Sequence, residues 1–118
     1  MLSDLGRKEE AIASYDQALA FKPDYHAAWY NRGLSLSALG RKEEAIASYD
    51  RSIAIKPDDA SAFYNKACCY GLQNQVELAV DFLQQAIELD PESKDMAKTD
   101  TDFDLIRGSD RFQALIEH

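Results

Sequence analysis

The side chains that could carry out catalysis are few, and they lie far apart in the sequence. His26 and His118 are the histidines, and neither has a serine, cysteine or carboxylate at a spacing that suggests a catalytic partner. The sequence also lacks the glycine, serine and histidine motifs of hydrolases, zinc proteases and phosphate-binding loops. We therefore predict that the chain is not an enzyme and that it uses no cofactor.

One run of acidic residues resembles part of a metal-binding loop. Asp100, Asp102 and Asp104 alternate as at the start of a calcium loop. However, Leu105 stands where that loop needs glycine, and Arg111 stands where it needs glutamate. We interpret these aspartates as solvated helix caps and predict no metal site.

The only cysteines, Cys68 and Cys69, are adjacent. Neighbouring side chains on a helix point about 100° apart, so these two cannot easily form a disulfide. The sequence places no further metal donors close to them. We interpret them as small buried thiols and predict a reducing, cytoplasmic location.

The charge of the chain is unevenly distributed. The net charge is −8, residues 1–57 are balanced, and the whole acidic excess falls in residues 58–118. Such a surface repels phosphate groups, which argues against nucleic acid and anionic membranes as partners. No apolar run approaches the roughly 20 residues that a membrane span needs. The simplest interpretation of the acidic half is a solvated surface. The alternative is that it binds a basic partner.

An internal repeat organises the sequence. The eleven residues of 6–16 return unchanged at 40–50, and fifteen of the nineteen aligned positions between 6–24 and 40–58 are identical. A weaker third copy, residues 74–92, begins at the same interval and keeps Ala79, Ala86 and Pro91 in register. A fixed period of this kind indicates stacked helical repeats.

The pattern of the repeat resembles that of the tetratricopeptide repeat family, in period as well as in residue types. Its signature positions fall at Trp29, Gly33, Leu36, Ala45, Tyr49 and Pro57, and again at Phe63, Ala67, Tyr70, Ala79, Leu83 and Pro91. Two departures are Arg32 and Lys66, which stand where the family has leucine, and we expect their stems to cover apolar surface while the charge reaches water. The resemblance implies an all-α, right-handed α-solenoid of stacked antiparallel helix pairs.

The repeats predict both the domains and the helices. Residues 1–93 form the array, with a partial repeat at 1–25 and full repeats at 26–59 and 60–93, and residues 94–118 form C-terminal capping helices. Turn, cap and proline signals predict a first helix after Gly6 and further helices at 25–39, 42–55, 60–73, 76–89, 91–98, 101–106 and 109–117. We expect Asp24 to cap the second helix and Gly40 to end it in the left-handed conformation.

The tail that follows the repeats is similar to the segment after the last repeat in bacterial members of the family. It carries apolar residues at helical spacing, Phe103, Ile106, Phe112, Leu115 and Ile116. We interpret it as a cap over the last repeat. The alternative is that it folds back over the binding groove and occupies it as a ligand would.

The resemblance implies a protein-binding groove on the first helix of each repeat. Its residues map onto Ala27, Tyr30, Asn31, Leu34 and Ser37 in one repeat, and onto Ser61, Tyr64, Asn65, Cys68 and Leu72 in the next. Asparagine amides can bind a peptide backbone, and tyrosine rings supply contact area. Asn and Tyr are also generic at these positions, so they need not mark a ligand. We predict a non-catalytic scaffold that binds a protein or peptide partner.

The alternative function is self-assembly. The helix around Ala11, Tyr15 and Ala18 has no first helix of its own repeat within this sequence, so we expect one of its apolar faces to be open. That opening predicts a homo-oligomer, a domain-swapped dimer, or cover by an N-terminal segment.

Overall fold

The computed structural model describes residues 4–117, and every regular element within that range is helical. Met1–Ser3 and His118 lie outside the described residues, so what was predicted for them stays a prediction. The described chain divides into two compact units, with the division in the sequence between Pro57 and Asp58. The acidic excess of the sequence therefore belongs to the second unit.

The first unit contains α1 (Asp4–Phe21), α2 (His26–Ala38) and α3 (Lys42–Ile55). Helix α2 packs against both α1 and α3. Ala45 and Tyr49 of α3 are buried, and Gly33 of α2 lies directly beneath the ring of Tyr49. A Cβ atom at Gly33 would lie 2.5 Å from Cε1 of Tyr49, so only glycine allows this approach.

The second unit contains α4 (Ala60–Leu72), α5 (Val76–Leu89), α6 (Glu92–Thr99), a 3₁₀ helix (Thr101–Ile106) and α7 (Asp110–Glu117). Helix α4 packs against α5 and against the 3₁₀ helix, while α7 packs against α5 and α6. The core of this unit is formed by side chains from both the repeat and the tail, among them Leu83, Phe103, Ile106 and Phe112.

The turns that end α2 and α4 have the same geometry but different residues. Gly40 has φ +81°, as expected, and the amide of Arg41 donates to the Leu36 carbonyl at 2.9 Å. Asn74, at the equivalent position of the next repeat, has φ 58°, and the amide of Gln75 donates to the Tyr70 carbonyl at 3.0 Å. Asparagine is one of the few residues that tolerate this conformation, so the repeat keeps its turn without the glycine.

Most of the predicted helix starts agree with the structure. Asp59 accepts a hydrogen bond from the amide of Ser61, Asp90 from that of Glu92, and Asp100 from that of Asp102. The hydroxyl of Ser109 accepts from the amide of Phe112 in the same way. These side chains satisfy amides that have no partner within the helix.

Two predicted starts were wrong. Asp24 does not cap α2, because the turn after Pro23 continues for one more residue and Tyr25 takes the cap position without a side-chain hydrogen bond. Tyr25 is the repeat equivalent of Asp59, which does cap α4. Helix α1 already includes Asp4, ahead of Gly6, because glycine inside a helix costs only about 1 kcal/mol and does not end it here.

Candidate functional site

The predicted groove residues of α2 lie on one face of that helix. Residues three and four apart in a helix are neighbours, so Ala27, Tyr30, Asn31, Leu34 and Ser37 form a continuous strip. Leu34 is 37% exposed, and the other four are partly exposed. The ring of Tyr30 rests against Tyr49 at a centroid distance of 6.0 Å, which fixes its position over the core of the first unit. We call this strip the α2 face.

The equivalent strip of α4 is partly covered by the tail of the chain. Tyr64 and Cys68 are each only 4% exposed. The phenol of Tyr64 donates a hydrogen bond to Oδ2 of Asp100 at 2.8 Å. Its ring meets Phe103 edge to face at 5.8 Å. The tail therefore packs against α4 of the last repeat, a contact that both the capping interpretation and the ligand-like alternative predict.

Gly71 permits the closest approach between the tail and α4. A Cβ atom at this position would lie 2.9 Å from the carbonyl oxygen of Asp102 and 2.9 Å from Cδ1 of Phe103. No side chain fits there without displacing the backbone of the tail. Phe103 itself is fully buried, so the 3₁₀ helix belongs to the core of the second unit.

Arg107 connects the end of the 3₁₀ helix to the end of α6. Its guanidinium donates to the carbonyl oxygens of Ala97 at 3.2 Å, Lys98 at 2.8 Å and Asp100 at 2.6 Å. These carbonyls lie at the end of α6, where the helix itself offers them no amide. The planar fork of arginine can serve several acceptors at once, so one side chain connects α6 to the start of the 3₁₀ helix.

The fold brings together three groups that the sequence separates. The Sγ atom of Cys68 and one carboxylate oxygen each of Asp100 and Asp102 lie within 4.8 Å of one another. The expectation that no metal donor approaches Cys68 was therefore wrong, since both aspartates come from the tail. Asp100 is already engaged, because it accepts from Tyr64 and lies 3.9 Å from the thiol of Cys68.

Burial controls the ionisation of the two α4 side chains beneath the tail. Burial, followed by the hydrogen bond to Asp100, raises the pKa of the Tyr64 phenol. Burial, followed by the negative charges of Asp100 and Asp102, raises the pKa of the Cys68 thiol. Both groups are held in their neutral, proton-donating forms, which suits the acceptor Asp100 and disfavours a metal-binding thiolate.

The other predicted groove residues of α4 lie outside this covered region. Ser61 is exposed and donates its amide to Asp59 at 3.1 Å. The amide nitrogen of Asn65 donates to the carbonyl of Ser61 at 2.9 Å. Leu72 is 36% exposed. The α4 strip thus has an accessible part and a part that the tail occupies.

Arg32 and Lys66, the two departures from the family pattern, differ in their environments. Arg32 donates to Asp16 at 2.7 Å and to the hydroxyl of Ser48 at 2.7 Å, so it connects α2 to both neighbours in the first unit. Lys66 is only 8% exposed, and its ammonium lies 3.8 Å from the ring centroid of Phe82. Its charge was expected to reach water, but it rests on an aromatic face, where the π-electrons attract it.

The chain belongs to the tetratricopeptide repeat family. One model of the family matches residues 2–60, and a second matches residues 60–93. The fold is accordingly the α-solenoid type of stacked helix pairs, and members of this family are generally protein-interaction scaffolds. No helix in the described range is both long and apolar enough to cross a membrane.

Solved structures with the same fold include MamA and an enzyme. A crystal structure of MamA has a TM-score of 0.77 and 19% identity, over 97% of this chain and 65% of that one. MamA from Desulfovibrio magneticus RS-1 has a TM-score of 0.69 and 24% identity, over 97% of this chain and 67% of that one. A Thermobaculum terrenum O-GlcNAc transferase mutant has a TM-score of 0.61 and 22% identity, over 80% of this chain and 21% of that one.

These identities establish a common fold and no more. The chain spans about two thirds of the MamA chains and about a fifth of the transferase. None of the curated proteins compared with the sequence matches it.

Proposed function

We propose that the chain is a non-catalytic scaffold and that it binds a segment of another protein on the α2 face. The observation that carries the proposal is the contrast between equivalent positions of α2 and α4. Cys68 of α4 is buried beneath the tail, whereas Leu34, at the same position of the preceding repeat, is 37% exposed. The tail covers Cys68 on α4, whereas the equivalent position of α2, Leu34, is open. Helix α2 is held in place by its neighbours α1 and α3.

The tail on α4 indicates which chemistry the partner segment would have. Tyr64 donates to a carboxylate, and Tyr30 is its equivalent in the preceding repeat. We expect the partner segment to pack against the ring of Tyr30, which is partly exposed. Ser37 stands where Gly71 admits Phe103, so the partner residue at that point must be small. An apolar side chain between these two points would cover Leu34.

Rigidity of the α2 face supports binding of a flexible segment. Tyr30 is packed on Tyr49, and α2 is tied to α1 and α3 through Arg32. A surface that is already ordered loses little entropy when a partner binds, so the cost falls mainly on the partner.

A peptide selection with two matched variants tests the proposal. Peptides would be selected from a random displayed library on the full chain, and the enriched peptides titrated by calorimetry. Leu34→Glu introduces a charge on the α2 face, and Leu78→Glu introduces the same charge at a leucine of α5 that is 39% exposed. We expect Leu34→Glu to weaken binding about tenfold or more, as at a buried contact residue, and Leu78→Glu to leave it unchanged.

Circular dichroism must show that both variants keep their helices. Equal losses in the two variants would contradict the proposal, as would a selection that enriches no peptide. Enriched peptides that bind only after the tail is released from Tyr64 would place the partner on α4 instead.

A further inference from the structure

Two cationic side chains of the first unit rest on aromatic rings. The ammonium of Lys22 lies 5.4 Å from the ring centroid of Tyr25. The guanidinium of Arg51 lies 5.7 Å from the ring centroid of Trp29. Both cations are exposed, and attraction to the π-electrons of the rings favours these positions over free rotation in water. We call these four residues the basic-aromatic patch.

The fold gathers the patch at one end of the first unit. Tyr25 and Trp29 are four residues apart at the start of α2, so their side chains are neighbours. The indole N–H of Trp29 donates to the carbonyl of Pro23 at 2.8 Å, which fixes the ring against the turn that carries Lys22. Arg51 belongs to α3, which packs against α2. Contacts within the unit therefore position both rings and both cations.

Neither cation of the patch is neutralised by the chain itself. None of the ion pairs among residues 4–117 includes Lys22 or Arg51. Arg32 provides a contrast, because its guanidinium also lies over the Trp29 ring, at 5.9 Å, but donates to Asp16 at 2.7 Å. The patch thus holds two positive charges in place and leaves them free to bind carboxylates.

The next repeat shows that the fold does not require this patch. Asp59 stands in place of Tyr25, and Gln85 stands in place of Arg51. Helices α4 and α5 nevertheless pack against each other as α2 and α3 do. The basic-aromatic patch is therefore a property of the first unit alone and is not part of the packing that the repeats share.

We propose that the basic-aromatic patch binds an acidic segment of a partner protein, with two carboxylates one helical turn apart. The two aromatic residues beneath the cations are four residues apart on a helix, which separates their Cβ atoms by about 6 Å. Carboxylates three or four residues apart on a partner helix have a matching separation. Because the rings already restrain both cations, they lose little entropy when the carboxylates bind.

This surface is separate from the α2 face. Trp29 is two residues from Ala27 of that face, so the two side chains point about 200° apart around the helix. The proposal therefore does not depend on the function proposed for the α2 face.

The charges favour a protein segment over other anionic partners. Two cations, with the exposed Asp24 in the same turn, are few for a phosphate polymer or an anionic membrane, which the net charge of −8 repels. A second copy carries the same net charge and is also repelled. In such a copy the carboxylates of Glu77 and Asp81, one turn apart on α5, are already paired with Arg111.

The tryptophan of the patch provides the readout for a test. Trp29 is the only tryptophan of the chain, so its fluorescence reports binding at the patch. The probe is an alanine-based helical peptide with glutamates four residues apart, titrated into the full chain at low ionic strength. A matched peptide has glutamine in place of every glutamate. We expect a saturable change with the glutamate peptide, binding at least fivefold weaker with the glutamine peptide, and loss of affinity as salt is added.

Two variants of the chain locate the site. Arg51→Gln introduces the residue type that the next repeat has at this position. Arg7→Gln removes the same charge from an exposed residue of α1, about 20 Å along the helix from Lys22. We expect Arg51→Gln to weaken binding of the glutamate peptide about threefold or more, as loss of an exposed ion pair does, and Arg7→Gln to leave it unchanged.

Several results would overturn the proposal. These are equal affinities of the two peptides, equal effects of the two variants, and no binding of the glutamate peptide. Tighter binding of a single-stranded oligonucleotide or of phosphatidylserine vesicles than of the glutamate peptide would overturn it in favour of a phosphate ligand. Self-assembly that Arg51→Gln abolishes, measured by sedimentation, would overturn it in favour of a second copy.

Discussion

The phenol of Tyr64 and the carboxylate of Asp100 are joined by a hydrogen bond of 2.8 Å across 36 residues of sequence. The bond attaches the tail to helix α4 of the second unit. Asp100 also accepts from the amide of Asp102, so one carboxylate both starts the 3₁₀ helix and fixes it to α4. Loss of either partner should therefore loosen the whole turn.

Removal of the Tyr64 hydroxyl should destabilise the second unit. Tyr64→Phe keeps the ring against Phe103 but leaves Asp100 without its phenol donor. Hydrogen bonds to charged groups contribute about 1.5–3 kcal/mol, so we expect a loss of that size in the free energy of unfolding from urea titration. Tyr25→Phe is the control, because Tyr25 is 46% exposed. Equal stabilities of the two variants would show that the Tyr64–Asp100 bond contributes nothing.

The same pair predicts how stability depends on pH. The folded state raises the pKa of Tyr64, chiefly through burial, while the unfolded phenol titrates near its ordinary value of about 10. Below that value the contribution of Tyr64 to stability is complete. Above it, the unfolded chain loses a proton that the folded chain keeps, so the free energy of unfolding falls as pH rises. Tyr64→Phe should show a shallower alkaline decline than the wild type, and parallel curves would contradict this linkage.

Substitution by alanine should lower the free energy of unfolding at Gly71 but not at Gly108. At Gly71 the new methyl group would meet the backbone of Asp102 and the ring of Phe103, whereas at Gly108 no atom lies within 4 Å. We expect Gly71→Ala to lower the free energy of unfolding by about 1–3 kcal/mol, as overpacking does. Gly108→Ala should change it little, or raise it by about 0.4–1 kcal/mol, because alanine restricts the unfolded chain. A stable Gly71→Ala variant would mean that the tail does not approach α4 so closely.

Arg107 should contribute to order in the tail rather than to stability of the first unit. Arg107→Ala removes donors from the carbonyls of Ala97, Lys98 and Asp100. Hydrogen exchange should then increase in the 3₁₀ helix and α7, while Lys42–Ile55 of α3 keeps its protection. A uniform increase in both units would show that Arg107 acts on the stability of the whole chain.

The local features of the fold could be predicted from the sequence. The bounds of α3, α5 and the 3₁₀ helix agree with the predicted ranges 42–55, 76–89 and 101–106, because caps, turns and prolines act over a few residues. Asn74 was not predicted to take a left-handed conformation, although its position one repeat after Gly40 indicates it. The Tyr25 cap was missed because Asp24 is the better capping residue by type, while the length of the turn decides which residue occupies the position.

The contacts of the candidate site could not be predicted in the same way. The repeat pattern predicts that Tyr64 is one of the groove residues of α4. Its burial could not be predicted, because it depends on the tail, which has no repeat pattern. Asp100 was interpreted as a cap, which is correct, and its second role toward Tyr64 has no signal in local spacing. Gly71 is the one residue that could have indicated the contact, since glycine near the end of α4 allows another segment to approach closely.

The most direct test of the proposed function is a ¹⁵N NMR titration of the full chain with a peptide selected on it. We expect the amide signals of α2, from Ala27 to Ala38, to shift in a saturable way while those of Tyr64, Cys68 and Phe103 stay in place. That result would locate the partner on the α2 face with the tail still seated on α4. Shifts confined to Tyr64, Cys68 and the 3₁₀ helix would contradict the proposal, because they would mean that the partner displaces the tail and binds α4.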